Sequence, residues 1–120
     1  MKQRFFKCET CGNIYAVVKD AGVPLMCCGK KMQEIIPGSV EASVEKHLPV
    51  FTVEGSKVYV VVGDVEHPMA AEHYIEWISI QTKFGNQRKC LEPGDKPAAC
   101  FSICDNDEVE AVYAYCNLHG

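Results

Sequence analysis

The chain has 120 residues, with twelve Lys and Arg against sixteen Asp and Glu and a formal net charge of −4. That length suits one ordinary domain, or one domain with a small appendage. An acidic balance with no basic run and no basic–aromatic interleaving argues against nucleic acid, and apolar runs such as Val58 to Val62 are far too short to span a bilayer.

The N-terminus, Met1-Lys2-Gln3-Arg4-Phe5-Phe6-Lys7, starts basic but carries no apolar stretch long enough for a signal peptide. A soluble, cytoplasmic protein is expected, and eight cysteines in a reducing compartment point to metal rather than disulfides. Four of them come early: Cys8-Glu9-Thr10-Cys11, then the adjacent pair Cys27-Cys28. Two cysteines spaced CxxC and two more after a short loop are what a tetrahedral four-thiolate site needs. Gly12 and Gly29 follow the two pairs and can supply the unusual backbone angles of such knuckles. Adjacent cysteines are rarer than a second CxxC and force a distorted angle at the metal. Two disulfides in a secreted module are the alternative, and nothing marks the chain as secreted.

The first thirty-six residues are too few to build a core alone, and a bound metal would stabilise them. They carry six Lys and Arg against three Asp and Glu, formally +3, whereas residues 37–120 carry six against thirteen, formally −7. The basic surface is ordinarily just solvated, though it also suits docking of an acidic redox partner.

Ile36-Pro37-Gly38-Ser39 reads as a linker, and the pattern beyond it is strand-like. Val40, Ala42 and Val44 alternate with Glu41, Ser43 and Glu45, the period of a half-buried strand. Pro49 to Glu54 and Lys57 to Gly63 flank Gly55-Ser56 as a hairpin. Tyr74 to Thr82, Ala98 to Cys104 and Val109 to Tyr115 are further strands, with turn signals at Gly85-Asn86 and Pro93-Gly94-Asp95. Short strands at this spacing predict an antiparallel sandwich.

All four histidines fall where they can meet around one ion: His47 at the mouth of a strand, His67 before Pro68, His73 before Tyr74, and His119 beyond the last strand with Cys116. A lone histidine is more often a surface or core residue than a ligand. Four at strand ends or loops, beside a terminal Cys-x-x-His, reverse that expectation. Four imidazoles and one thiolate suit a redox-active transition metal, and five donors favour iron over zinc, which closes at four. Cys90, Cys100 and Cys104 are left over and are expected to be buried, inert thiols in strands. Cys100 and Cys104 share a strand face about 13 Å apart, too far for a disulfide.

Cys8-x-x-Cys11 with Cys27-Cys28, Glu45-Lys46-His47-x-Pro49-Val50, His67-Pro68-Met69, His73-Tyr74-Ile75-Glu76-Trp77-Ile78 and Cys116-Asn117-x-His119-Gly120 together resemble the desulfoferrodoxins, two-iron superoxide reductases, over essentially the whole chain. The resemblance implies a desulforedoxin-like iron module over residues 1–36. It implies an immunoglobulin-like, neelaredoxin-like β-sandwich over residues 37–120. Cys8, Cys11, Cys27 and Cys28 would hold the first iron. His47, His67, His73 and His119 would form the equatorial plane of the second, with Cys116 axial. A ferrous ion held this way keeps one open position for superoxide, and the thiolate tunes its potential. Glu45 would take that position in the ferric resting state. Lys46, beside His47 on an acidic domain, would supply the local attraction an anionic substrate needs. Glu45 and Lys46 are otherwise an ordinary exposed pair. A rubredoxin-like electron donor and a homodimer are implied as well. The rival readings are a redox-inert zinc scaffold and a pure electron-transfer iron protein, which would need no open coordination position.

Overall fold

A computed structural model describes residues 2–38, 48–63 and 67–120. The expected strand over residues 40–45, and with it Glu45, Lys46 and His47, lies outside the described residues. The chain divides into two compact units, Met1–Ser39 and Val40–Gly120. The described residues contain strands and turns but no helix.

In the first unit, β1 (Phe5–Lys7) pairs antiparallel with β2 (Ile14–Ala16) and β5 (Gln33–Ile35), and β3 (Met26–Cys27) with β4 (Lys30–Lys31). Among the described residues Phe5, Cys8 and Met32 are its buried apolar side chains, too few for an independent core. Arg4 ties the three-stranded sheet to the loop after β2: its guanidinium meets both carboxylate oxygens of Glu34 at 2.9 Å and Asp20 at 2.5 Å. Two of the three acidic groups in residues 1–36 are therefore spent on one arginine.

The second unit is an antiparallel β-sandwich. One sheet has the order β10-β7-β6, with β6 Pro49–Glu54, β7 Lys57–Val62 and β10 Ala98–Ser102; the other has β11-β8-β9, with β8 Ile75–Thr82, β9 Gly85–Cys90 and β11 Val109–Cys116. The expected hairpin about Gly55-Ser56 is β6–β7, where Glu54 pairs with Lys57. Alternation on β7 is strict, with Val58, Val60 and Val62 buried and Lys57, Tyr59 and Val61 exposed. These valines meet Ile75, Ile78, Ile80 and Phe101 in one core. Each such side chain contributes about 1.5–3 kcal/mol on burial.

Three expectations fail here. Gly85-Asn86 is not a turn: Lys83-Phe84 make it, and Gly85 and Asn86 open β9 by pairing with Thr82 and Gln81. Asp107 decides this, accepting from the Thr82 hydroxyl (2.8 Å) and the Phe84 amide (3.2 Å). Cys116 is not beyond the last strand but ends it. The leftover cysteines are not buried: Cys90 and Cys104 are exposed and Cys100 is half-buried, because β9 is an edge strand exposed throughout and β10 stops at Ser102.

Among the described residues β9 and β10 are edge strands of opposite sheets, and side chains join them. Gln87 Nε2 donates to the Ser102 carbonyl at 2.8 Å, and Lys89 Nζ donates to the Cys100 carbonyl while lying 5.4 Å from the Phe101 ring. No helix among the described residues is long and apolar enough to cross a membrane.

Candidate metal centres

In the first unit the turn at residues 9–11 returns the chain so that the Cys11 amide points at Cys8 Sγ (3.5 Å) and the Gly12 amide donates to the Cys8 carbonyl (2.9 Å). The second pair sits on the β3–β4 hairpin, where Cys27 ends β3 and Cys28-Gly29 is the two-residue turn. Both turn residues have positive φ, 52° at Cys28 and 72° at Gly29, the combination that matches the right-handed twist of a hairpin.

These turns bring the donor atoms of Cys8, Cys11, Cys27 and Cys28 within 4.8 Å of one another. Cys11 Sγ lies 3.6 Å from Cys27 Sγ, and Cys27 Sγ 4.0 Å from Cys28 Sγ. A tetrahedral ion with bonds of about 2.3 Å separates its sulfurs by about 3.8 Å, so these spacings fit one.

The protonation pattern agrees. The Cys8 thiol is drawn down to about 6 by the Cys11 amide, with burial opposing and the Thr10 amide assisting. Cys27 is pushed up to about 12 by its hydrogen bonds with Cys11 and Cys8 and by desolvation, and Cys28 is raised by the same neighbours. One thiolate is comfortable and four are not. A cation bound at the centre would allow all four to ionise.

The second group is assembled from distant parts of the sandwich. His67 and His73 lie in the connection from β7 to β8, and the bridge between Ala70 and His73, with two backbone hydrogen bonds of 3.0 Å, folds that connection back on itself. Cys116 is aimed by an irregularity in the β11–β8 ladder. Consecutive residues Tyr115 and Cys116 pair with alternate residues Trp77 and Ile75, so Glu76 is the extra residue of a bulge. Tyr115 and Cys116 are consequently both buried, against simple strand alternation. Past Cys116 a turn closes with the Gly120 amide on the Cys116 carbonyl (2.8 Å) and swings His119 back.

The donor atoms of His67, His73 and Cys116 lie within 4.8 Å of one another. His67 is only 2% exposed and Cys116 1%. His67 Nδ1 is 2.7 Å from the Pro68 carbonyl, which can only accept, so Nδ1 carries the hydrogen and a neutral ring keeps its lone pair on Nε2. That is the state a metal-ligating imidazole needs. His73 stands edge to face with His67 (4.9 Å, 80°) and with His119 (5.2 Å, 82°), and His119 Nδ1 is 3.8 Å from Cys116 Sγ. Four of the five expected donors thus gather at one end of the sandwich. His119 stands beside the tighter trio rather than within it, and His47 lies outside the described residues. The donor chemistry fits a transition metal such as iron. The sequence reading missed the Glu76 bulge, which leaves no mark on apolar periodicity, and the Asn117 contacts described below.

Comparison with known proteins agrees with this architecture. A family model described as desulfoferrodoxin matches residues 39–120, and one described as desulfoferrodoxin, N-terminal domain, matches residues 1–35. A desulfoferrodoxin homolog from Archaeoglobus fulgidus is 47% identical over 115 residues, covering 96% of this chain and 90% of that protein. The desulfoferrodoxin of Nitratidesulfovibrio vulgaris is 43% identical, with the same coverage of 96% and 90%. Among solved structures, the superoxide reductase from Treponema pallidum superposes with a TM-score of 0.84 at 36% identity, covering all of this chain and 96% of its own. With both units matched in order, and with whole-length relatives at these identities, the chain belongs to the desulfoferrodoxin family.

Proposed function

We propose that the chain is a superoxide reductase, with residues 1–36 as a four-thiolate iron module and residues 37–120 as the catalytic domain. The observation that carries this is the convergence of His67, His73 and Cys116, with His119 beside them, in a chain of this family. On this reading Cys8, Cys11, Cys27 and Cys28 hold one iron, and His47, His67, His73, His119 and Cys116 hold another. Bound at the second group, ferrous iron would supply the electron that, with two protons, converts superoxide to hydrogen peroxide.

The chain's own residues prepare that chemistry. The Pro68 carbonyl fixes the His67 tautomer, the Glu76 bulge aims the Cys116 thiolate, and the turn to Gly120 returns His119 beside it. Lys46 offers positive charge to an anion approaching a domain of formal charge −7, with Glu45 next to it. Electrons come from a rubredoxin-like donor, the protein acts as a homodimer, and it works in the reducing cytoplasm, where thiolate ligands stay reduced.

Pulse radiolysis of the iron-loaded, pre-reduced protein tests the reading. One peroxide per superoxide, with one electron lost from the protein, is expected. One peroxide per two superoxides would mean dismutation, and no peroxide with a reversible spectrum would mean an electron carrier. A colourless zinc protein would end the proposal.

A further inference from the structure

We propose that Asn117 is a positioning residue of the histidine–cysteine centre, tying the segment that carries His73 to the turn that carries Cys116 and His119. The proposal rests on the reading of those residues as metal ligands.

Asn117 makes three hydrogen bonds to the 72–74 segment. Its backbone amide donates to the Tyr74 carbonyl (3.1 Å), its Oδ1 accepts from the Tyr74 amide (2.9 Å), and its Nδ2 donates to the Glu72 carbonyl (3.2 Å). The orientation of the side-chain amide is determined by its partners, since Tyr74 N–H can only donate and the Glu72 carbonyl can only accept. The last ladder pair before it is Cys116 with Ile75, so the carboxamide continues the β11–β8 pairing past the end of the strand, one side chain doing the work of a backbone.

The bonds bracket His73 without touching it. His73's own amide and carbonyl are already committed to Ala70, in the segment that leads back to His67. The three chain segments that carry His67, His73 and the Cys116–His119 turn therefore meet through two short clamps: Ala70 to His73, and Asn117 to the residues on either side of His73. Met69 packs against the core and its carbonyl accepts from the Gly94 amide (2.8 Å), which anchors the loop on its His67 side. Ala71 and Glu72 are exposed and gain little from packing, so the Asn117 contacts hold the side nearest His73. A carboxamide is needed for the full clamp. Aspartate keeps the acceptor for Tyr74 but loses the donor to Glu72, and alanine loses both. The loop's freedom would then be passed to the His73 ring, and groups that orient metal ligands typically change affinity about 10–100-fold when removed.

The test uses the full chain in two states. In the metal-free protein, Asn117→Ala should speed hydrogen exchange of the Tyr74 amide, while Asn117→Asp should leave it protected. In the iron-loaded protein, loss of iron to a chelator from the histidine–cysteine centre should be about 10–100-fold faster in Asn117→Ala and intermediate in Asn117→Asp, with the four-thiolate absorption unchanged. Asp107→Asn, which loosens the remote Lys83-Phe84 turn, is the control for general destabilisation and should leave iron retention alone. The proposal is overturned if Asn117→Ala keeps its iron within about twofold of the parent, if its Tyr74 amide stays protected, or if Asp107→Asn loses iron equally fast. Should Asn117→Ala not fold, Asn117→Asp carries the comparison. His73→Ala separates the two ideas. If it too retains iron and the thiolate band, the ligand reading fails; if it alone loses them, only the clamp fails.

Discussion

The two sulfur-bearing groups are built in opposite ways. The four-cysteine group draws on residues 8 to 28 and two tight turns, with only Cys8 buried and with Cys11 and Cys28 exposed. The histidine–cysteine group draws on residues 67 to 119, and both His67 and Cys116 are buried, Cys116 as part of the core with Val58, Val60, Val62, Ile75, Ile78 and Ile80. The first arrangement has little apolar packing of its own, so a bound ion would be its main staple. The second is framed by the sandwich core. A small unit with three buried apolar residues among those described needs a staple, whereas a sandwich can carry strained or polar machinery on stability gained elsewhere.

Metal removal should break the symmetry most. Structural four-ligand sites contribute on the order of 10–16 kcal/mol of apparent binding energy at neutral pH, which is folding energy for the small unit. Exhaustive chelation should therefore abolish amide protection over β1–β5 while leaving it over β7 and β8, as read by hydrogen exchange. Protection lost equally in both units would contradict the contrast. Cys11→Ser should do the same genetically. Its four-thiolate spectrum should vanish, while peroxide formation by the pre-reduced second centre persists, since every donor proposed for that centre lies in residues 37–120.

Cys116→Ser is expected to have the converse effect. A hard, mostly protonated hydroxyl replaces the thiolate, so the sulfur-to-iron absorption and superoxide reduction should disappear, with β1–β5 untouched. Retention of both signals would remove Cys116 from the donor set. Lys46→Ala should be milder, slowing the second-order reaction with superoxide by roughly 10-fold. The parent rate should fall between 0.01 M and 0.1 M salt, as the Debye length shrinks from about 30 Å to about 10 Å. The variant should lose that fall, and equal salt slopes in pulse radiolysis would return Lys46 to the ordinary surface.

The smallest effect expected is an acid dependence confined to the sandwich. Burial alone would raise the Asp107 carboxyl, but the Thr82 hydroxyl and the Glu108, Phe84 and Lys83 amides outweigh it and hold it below its ordinary value. A depressed folded pKa adds stability that is complete above the unfolded value, about 3.9, and is lost as pH falls through the lower folded value. Thermal unfolding of the metal-free chain, followed with pH, should show that loss in the parent and less of it in Asp107→Asn.

How much of this was legible in the sequence follows from how local each feature is. The cysteine knuckle is a spacing pattern closed by short turns, so Cys8, Cys11, Cys27 and Cys28 could be read directly. Hairpin β6–β7 announces itself through Gly55-Ser56 and the alternation on β7. β9 does not, because Gly85-Asn-Gln-Arg-Lys-Cys90 is exposed throughout and owes its strand to pairing with β8. Tertiary pairing overrode local turn chemistry there. The histidines were grouped by the motifs around them, but the bulge at Glu76 and the Asn117 clamp depend on register between strands far apart in sequence, which no local pattern encodes.

The Gln87 and Lys89 contacts across the sandwich seam bear on a different matter, the behaviour of this protein when crowded. An unpaired strand edge is an invitation for another chain to add a strand. On β10 the outward carbonyls of Cys100 and Ser102 already accept hydrogen bonds from those two side chains, and a lysine charge lies directly in the path of an incoming backbone. A newcomer would have to displace both donors and bring its own amides up to that charge. Among the described residues, the seam that closes the sandwich therefore also guards the outer edge of β10 against an added strand.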